Sequence, residues 1–374
     1  MSVRFLLTFG VRAFRLQDIM SKGEFYLKHL DRVSRSFAYS IPKLEMPLKN
    51  WVSLTYLICR ILDTVEDAPW KRLSQQLCQF REFDGFLVSL PKENNLKAWQ
   101  KAFPAEIPEG EKLLLMDSAL IFKDLHNMPL TVRSVIQEMV KCMSAGMQYY
   151  SRLCQRRGQL RLRNLREVNQ YCFFVAGIVG EALVQLVTLA DPQLKKAQQL
   201  ILGAQHFGLF LQKINLLKDQ MEDEKKGRFF IYNRSEVRCS LGDNARGAWE
   251  FFKALPLQQR GFRIFCAHSL FLGVASLPWI DSSFENQKML KIPRAATQKL
   301  FGLIEGNIDN NNFLETLFKD LMKKGDLALT SPLVPVKKER VEKNDDQWFN
   351  RFYHGKLRVQ EFAALGIKNG LPEC

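Results

Sequence analysis

The chain has 374 residues, 47% of them apolar and 25% charged, and this composition excludes a mostly disordered protein. The 54 Lys and Arg against 39 Asp and Glu give a net charge of +15, which favours an anionic partner such as phosphate, an acidic membrane surface or nucleic acid. No apolar run approaches the roughly 18 residues that span a bilayer. We therefore expect a cytoplasmic protein whose contact with membranes, where it occurs, is peripheral.

The hydrophobic pattern is helical along most of the chain. In residues 54–65 the apolar side chains follow the spacing of one buried helix face. The same period recurs in 133–153, 168–190, 197–223, 246–254, 262–277 and 295–304. Strand and hairpin signals are scarce, so the sequence predicts an all-α fold.

Segments rich in Pro, Gly, Asn or charge predict the loops. They are residues 91–112, 190–192, 240–247, 278–293 and 306–312. None is long enough for an interdomain linker, so we expect one large helical domain over residues 1–330. Residues 331–374 are predicted to be a charged tail without a transmembrane helix. The eight cysteines lack CxxC pairs, and we expect reduced thiols, mostly in the core.

Two acidic clusters share the form Asp-x-x-Glu-Asp, and each follows an apolar helical segment. In the first, helical spacing places Asp63, Asp67, Arg60 and Tyr56 on one face. Carboxylates one turn apart beside an arginine suit Mg²⁺ and phosphate oxygens. A single cluster of this kind is most often a solvated helix face.

The second cluster continues a polar face on an otherwise apolar helix. Burial of such a face is unfavourable in free energy unless its side chains meet polar partners. The face carries Gly208, Gln212, Asn215, Asp219 and Asp223. Two matched clusters can hold metal ions from two sides and neutralise the charge that develops on a diphosphate leaving group. The pair therefore predicts a metal-dependent diphosphate site.

A third element is the apolar segment that begins at Tyr171. We expect a helix in which Gly177 and Gly180 let a neighbouring helix approach closely. Its shared face would comprise Tyr171, Val175, Ile178 and Ala182. The segment is either a core helix with a buried Tyr or an apolar wall that carries one proton-handling hydroxyl.

These three elements, in this order, resemble the squalene/phytoene synthase family. The resemblance also includes residues 34–38 (SRSFA), 57–67 (LICRILDTVED) and 208–223 (GLFLQKINLLKDQMED), and it extends over about residues 34–296. The second acidic segment and the later helices are more like the squalene-forming members than the phytoene-forming ones. The family implies an isoprenoid synthase fold, a single helical domain around a central cavity.

The resemblance implies that the chain is a farnesyl-diphosphate farnesyltransferase. Two farnesyl diphosphates would condense head to head through presqualene diphosphate, and NADPH would then reduce this intermediate to squalene. The catalytic residues would be Tyr171, which handles a proton, with Asp63, Asp67, Asp219 and Asp223. Mg²⁺ would be bound by Asp63, Glu66, Asp67, Asp219, Glu222 and Asp223. The diphosphates would be bound by Ser36, Arg60, Gln212, Asn215, Lys218 and Arg228. The NADPH phosphates would be bound by Arg35, Arg60, Lys291 and Arg294.

Several positions depart from the family pattern, mostly around the reductive half-reaction. Phe173 stands in place of a His, Lys218 in place of an Arg, and residues 229–232 (FFIY) in place of Glu-Phe-Trp-Pro. Two alternatives therefore stay open. One is a non-reductive member that makes dehydrosqualene, presqualene diphosphate or phytoene, and the other is a non-catalytic scaffold or assembly protein.

A dense run of arginines precedes Tyr171 without an intervening acid. It comprises Arg152, Arg156, Arg157, Arg161, Arg163 and Arg166. Aromatic residues do not alternate with these arginines, so base stacking is unsupported and we expect no nucleic-acid partner. A solvated surface or a face on anionic headgroups fits the run better.

Overall fold

The computed structural model describes residues 21–34, 36–192, 194 and 197–327. Within these residues the predicted all-α class is confirmed. The helices are α1 (Lys22–Val33), α2 (Phe37–Ser40), α3 (Leu48–Asp67), α4 (Leu73–Val88), α5 (Glu93–Lys101), α6 (Glu109–Met116), α7 (Ser118–His126), α8 (Leu130–Arg157), α9 (Leu165–Cys172), α10 (Ile178–Ala190), α11 (Ala197–Lys225), α12 (Arg234–Ala254), α13 (Arg260–Glu285), α14 (Arg294–Gly306) and α15 (Asn311–Lys324). The predicted tail, residues 331–374, lies outside the described residues, and its boundary stays a prediction.

Four short elements interrupt the helical pattern of the described residues. A 3₁₀ turn, Ile41–Lys43, follows α2, and a π-helical turn, Phe173–Gly177, joins α9 to α10. Strands β1 (Leu160–Arg161) and β2 (Arg228–Phe229) form a two-stranded parallel pair. Since β1 follows α8 and β2 follows α11, the pair ties the C-terminal ends of these two long helices together.

Three predicted loops proved wrong in part, because local composition does not reveal tertiary contacts. Residues 240–247 lie inside α12, where Gly247 packs against the His206 ring and Asn244 bonds to a buried lysine. The predicted loop 91–112 contains α5 and the start of α6. Helix α13 continues through Pro278 to Glu285. The predicted breaks at 190–192 and 306–312 are confirmed.

Side-chain caps define several helix starts. The Ser21 hydroxyl accepts from the Glu24 backbone and the Glu24 carboxylate accepts from the Ser21 backbone, so α1 begins with a capping box. Asn164 caps α9 and Asn233 caps α12 through bonds to the third following backbone N–H. Because α9 carries Tyr171 and α12 packs along α11, these caps help to fix two walls of the candidate site.

The core is organised around α3 and α11, the two helices that carry the acidic motifs. Helix α3 packs against α1, α4, α6, α7, α8 and α10. Its stripe, from Leu54 to Val65, is fully buried, as the periodicity predicts. Helix α11 packs against α10, α12 and α13. Each acidic motif therefore sits at the C-terminal end of a helix that the core holds rigidly.

Helices α10 and α11 cross at almost backbone-to-backbone distance. A Cβ atom on Gly180 would overlap the Ala204 carbonyl, and one on Gly208 would overlap the Ala176 carbonyl. The predicted close approach at Gly180 is thus confirmed. The predicted helix over residues 168–190 is present as α9, the π-helical turn and α10. The predicted shared face is corrected, because the π-helical turn adds a residue to one turn and changes which later side chains share a face with Tyr171.

Two helical segments, Leu165–Ala190 and Arg260–Glu285, are long and apolar enough to cross a membrane by length and composition. The expectation that no apolar run approaches the length of a membrane span is therefore corrected, although more than half of the apolar window in each segment is buried inside the fold. The cysteine prediction is corrected in part. Of the described cysteines, which are all free thiols, only Cys142, Cys172 and Cys266 are buried.

Candidate active site

The first acidic motif occupies the last turn of α3. The opposite side of this turn is anchored by Ile61, Leu62 and Val65, which are fully buried. Because the apolar stripe cannot rotate out of the core, Asp63 and Asp67 emerge on the other side of the helix. Asp63 is half-buried and Asp67 is more exposed.

Arg228 connects this motif with the segment that follows the second one. Its Nη1 donates to Oδ1 of Asp67 at 2.6 Å. Strand β2 positions Arg228, since the backbone N–H of Leu160 donates to the Gly227 carbonyl at 3.2 Å and that of Leu162 to the Phe229 carbonyl at 3.0 Å. Gly227 turns the chain out of α11 with a φ of 72°, a conformation that glycine adopts without strain.

The second acidic motif faces the first across this arginine. Burial raises the pKa of Asp223 to about 6, helped by the negative charges of Asp219 and Asp67 and opposed by Arg228. Burial also raises the pKa of Asp219. Glu222 is exposed on the outer side of the turn. The structure therefore brings Asp219 and Asp223 into electrostatic contact with the first motif and leaves Glu222 at the solvent-facing side.

The carboxylates of the first motif share an unfavourable environment for negative charge. Burial raises the pKa of Asp63 to about 7, and the charges of Asp67 and Glu111 act in the same direction, against Arg60. Burial and the charge of Asp67 raise the pKa of Glu66 to about 8. A cluster of acids whose pKa values all rise is a site that a cation would stabilise.

Tyr171 lies near the end of α9, close to Arg228 and to the carboxylates of the first acidic motif. Its ring packs on Phe230, with 4.5 Å between ring centroids, and on Tyr150, at 5.0 Å. Burial, together with the negative charges of Glu66 and Asp67, raises the pKa of Tyr171 well above its ordinary value. The phenol is therefore neutral at physiological pH and can hold a proton next to the acidic motifs.

Arg60 is the second arginine at the site, and it contacts a residue that sequence reasoning missed. Its guanidinium bonds to the buried carboxylate of Glu111 on α6 and reaches Asp63 at 3.5 Å. Glu111 falls in the predicted loop 91–112, so nothing in its local pattern marks it. The buried pair Leu96 and Trp99, at helical spacing in the same segment, is the signal that could have revealed ordered helices there.

The remaining candidates for diphosphate binding lie along α11 and at the start of α2. Gln212 is half-buried, while Asn215 and Lys218 are exposed and hydrogen-bonded to each other at 3.3 Å. Lys218 also pairs with Asp219 at 3.2 Å. Ser36, half-buried, precedes α2. The polar face predicted for α11 thus leads towards the second acidic motif.

A sequence model described as squalene/phytoene synthase matches residues 30–232, more than half of the chain. The chain belongs to the squalene/phytoene synthase family. The match covers both ends of the site, from α3 to β2. The resemblance inferred from the acidic motifs and the Tyr171 segment is therefore confirmed at the level of the family.

Curated relatives of this family member include squalene synthases from yeasts. The chain is 34% identical to the Schizosaccharomyces pombe protein over 220 residues, 57% of this chain and 45% of that protein. Identity to the Saccharomyces cerevisiae protein is 33% over 213 residues, 55% and 45% of the two chains. The Cyberlindnera jadinii protein is 29% identical over 304 residues, 72% and 65% of the two chains. The matches to the first two span less than half of each relative's length.

Solved structures share the fold at low sequence identity. A complex of TcSQS with the ligand E5700 superposes with a TM-score of 0.67 at 20% identity and covers 92% of this chain and 97% of that chain. A dehydrosqualene synthase in complex with a ligand superposes with a TM-score of 0.53 at 14% identity, covering 77% and 96%. These likenesses confirm the predicted isoprenoid synthase fold.

The family implies bound Mg²⁺, and the donors at the site fit this ion. They are carboxylate oxygens, the ligands that Mg²⁺ prefers, and burial raises the pKa values of several of them. Within the described ranges no three Asp, Glu, His or Cys side chains converge closely enough to hold a metal by themselves. Since Mg²⁺ completes its shell with water and substrate phosphate, one or two carboxylates from each motif suffice.

The residues predicted for NADPH are not all assembled in the described structure. Lys291 and Arg294 are exposed just before and at the start of α14. Arg60 lies instead within the acidic site, bonded to Glu111. Arg35 lies outside the described residues. The NADPH assignment therefore stays a prediction.

Proposed function

We propose that this family member is a Mg²⁺-dependent farnesyl-diphosphate farnesyltransferase. Two farnesyl diphosphates condense head to head, which gives presqualene diphosphate, inorganic diphosphate and a proton. A hydride from NADPH then replaces the second diphosphate and gives squalene and NADP⁺. The observation that carries the proposal is the ion pair between Arg228 and Asp67, because the charge of Arg228 also acts on Asp223 of the second motif and on Tyr171.

In this proposal the residues of the site serve the allylic ionisation in several ways. Arg228, Lys218 and Asn215 bind the leaving diphosphate, and Arg–phosphate bonds are strong because they are charged and two-pronged. Mg²⁺, when bound by the acidic motifs, neutralises the charge that develops on the leaving group. The rings of Tyr150 and Phe230, which pack on Tyr171, help to exclude water from the carbocation. Tyr171 holds a proton at its phenol oxygen and is placed to exchange it during the condensation.

Product analysis tests the proposal and separates its two halves. The purified protein is incubated with farnesyl diphosphate and Mg²⁺, with and without NADPH, and the products are identified by mass spectrometry. Squalene formed only with NADPH supports both halves. If presqualene diphosphate or dehydrosqualene forms in amounts that NADPH does not change, the condensation is supported and the reductive step is contradicted. Absence of turnover with this substrate and with geranylgeranyl diphosphate, in folded protein, favours the scaffold alternative.

We further propose that the protein works at an anionic membrane surface, on which its lipid substrate and product reside. The exposed arginines of the run before Tyr171 form a basic surface: Arg152, Arg156, Arg157, Arg161, Arg163 and Arg166. β1 lies within this surface and bonds to β2, which carries Arg228. The basic surface therefore adjoins the candidate site, and lipid binding there would bring the site to the headgroups.

Flotation of the full chain with vesicles tests the membrane proposal. The protein is expected to float with phosphatidylserine vesicles and to remain in solution with phosphatidylcholine vesicles. Replacement of Arg152, Arg156 and Arg157 by Gln should lower the bound fraction at least about tenfold, because each basic residue near such a surface contributes about 1 kcal/mol. Replacement of Lys92, Lys97 and Lys101 by Gln, on the exposed side of α5, removes the same charge elsewhere and should have little effect.

A further inference from the structure

Arg60 lies between two carboxylates that come from different helices. Its Nη2 donates to Oε1 of Glu111 on α6 in a close ion pair, and its Nη1 reaches Oδ2 of Asp63, on its own helix, at 3.5 Å. The second distance is at the long limit of hydrogen bonding, so it contributes little. Glu111 therefore forms the shorter bond to Arg60, while the charges of Asp63 and Glu111 both raise the pKa of Arg60.

Tight packing fixes the position of Glu111. The residue before it, Gly110, lies so close to α1 that a Cβ atom there would crowd the Arg32 carbonyl oxygen. The next turn of α6 is anchored by Leu114 and Leu115, which are buried. Glu111 itself is only 9% exposed, and a carboxylate at such a place needs a charged partner. α6 thus presents one acid to the α3 site from outside the family motifs.

One donor of the Arg60 guanidinium is unused. Its Nε is buried and has no hydrogen-bond partner among the described residues. Glu111 occupies the Nη2 side of the guanidinium. Arg60 is also three residues before Asp63, a spacing at which the two side chains can form an ion pair when nothing else holds the arginine.

We propose that Glu111 is a positioning residue that keeps Arg60 from closing a short ion pair with Asp63, whose Oδ2 lies 3.5 Å from Nη1. The inference rests on the proposed function, which gives Asp63 to Mg²⁺ and Arg60 to a substrate phosphate. Without Glu111, Arg60 turns onto Asp63 and places a fixed positive charge on a metal-binding carboxylate. With Glu111 present, Asp63 remains available to Mg²⁺ and Arg60 remains available to the substrate phosphate.

A double-mutant cycle tests the proposal by a readout other than activity. Mn²⁺, which shares the preference for oxygen ligands, is titrated into the metal-free full chain, and unbound Mn²⁺ is measured by its electron paramagnetic resonance signal. Glu111→Gln is expected to weaken Mn²⁺ binding at least about fivefold in the wild-type background and at most about twofold in an Arg60→Gln background. Equal losses in both backgrounds would mean that only a neighbouring charge was removed, and would overturn the proposal.

A second variant separates position from charge. Glu111→Asp keeps the charge but withdraws the carboxylate by one methylene, so it should weaken Mn²⁺ binding nearly as much as Glu111→Gln. Wild-type affinity in this variant would contradict the positioning role. The control is Asp124→Asn, a comparably buried acid on α7 that bonds to Tyr26 at 2.7 Å instead of to Arg60, and it should leave Mn²⁺ affinity unchanged.

The design also distinguishes failure of the inference from failure of the proposed function. A wild-type chain that binds no Mn²⁺, alone or with inorganic diphosphate, contradicts the metal site and with it the proposed function. If the wild-type chain binds Mn²⁺ and substitution of Glu111 leaves the Mn²⁺ affinity unchanged, only the positioning role is contradicted.

Discussion

Arg228 and Asp67 are 161 positions apart in the chain, yet they form an ion pair of 2.6 Å at the meeting point of the two acidic motifs. Burial opposes the charge on Arg228, but Asp67 and Glu66 outweigh this effect and raise its pKa. The pair marks the position at which a diphosphate and its metal ions would meet both motifs.

Removal of the Arg228 guanidinium should weaken substrate binding more than it lowers the free energy of unfolding. Arg228→Gln is expected to lower kcat/KM for farnesyl diphosphate by about 100-fold, because charged, two-pronged bonds to phosphate are lost. Arg228→Lys should recover only part of this loss, since lysine is a point charge. The control is Arg161→Gln on the paired strand, where the guanidinium lies over the Phe229 ring. An equal loss in the control would show that the effect arises from the strand pair.

The hydroxyl of Tyr171 should matter to the condensation and not to stability. Tyr171→Phe is expected to slow formation of presqualene diphosphate by about 100-fold or more, the usual contribution of a positioned proton-transfer group. Tyr150→Phe is the matched control, because the Tyr150 hydroxyl is also buried but has no hydrogen-bond partner within the described part of the chain. An unchanged single-turnover rate in Tyr171→Phe would show that the Tyr171 hydroxyl takes no part in the proton transfer.

The crossing of α10 and α11 should tolerate no side chain at Gly180. Gly180→Ala would press a methyl group into the Ala204 carbonyl and should lower the free energy of unfolding by about 1–3 kcal/mol. Gly85→Ala, inside α4 and with open space around the position, should instead raise it by about 0.5–1 kcal/mol. Chemical denaturation of both variants checks the prediction. A Gly180→Ala variant as stable as wild type would contradict the close crossing.

The metal-free protein should lose stability as the pH rises through the range in which the acidic motifs ionise. The pKa values of Asp63 and Glu66 are raised to about 7 and about 8, so the folded state binds protons that the unfolded state has released. Their contribution is present below about pH 4 and is lost between about pH 4 and 8, at up to about 1 kcal/mol per pH unit after allowance for solvent screening.

Urea denaturation in the presence of a chelator measures this pH dependence. Asp63→Asn combined with Glu66→Gln should flatten the profile, since neither replacement titrates. Saturating Mg²⁺ should also flatten it, because a bound cation favours the ionised carboxylates. A profile that keeps its slope in the double variant would assign the pH dependence to other groups.

The parts of the site that lie within one helix could be predicted from the sequence. Asp63 and Asp67 share a face of α3, and the polar face of α11 carries Asp219 and Asp223, because helical spacing alone decides these relationships. The buried stripe of α3 follows from the same rule. The order of these two motifs, with the Tyr171 segment between them, then carried the family resemblance.

The parts that depend on contacts between distant segments could not be predicted. Glu111 reaches Arg60 from α6, and the β1–β2 pair brings Arg228 to Asp67, although neither segment has a distinctive local pattern. A glycine also led to a wrong prediction, in this case of a loop where the structure has a helix. Gly247 was interpreted as part of a loop, but it lies within α12 because only a residue without a side chain fits beneath the His206 ring.

The most direct test of the central claim is product formation by a matched pair of proteins. Wild-type chain and the Asp63→Asn, Asp219→Asn double variant are incubated with farnesyl diphosphate and Mg²⁺, with and without NADPH, and extracts are analysed by mass spectrometry. We expect presqualene diphosphate from wild type without NADPH, squalene with it, and neither product from the folded double variant. Equal turnover by the double variant, or no turnover by folded wild type, would contradict a metal-dependent condensation at the two acidic motifs.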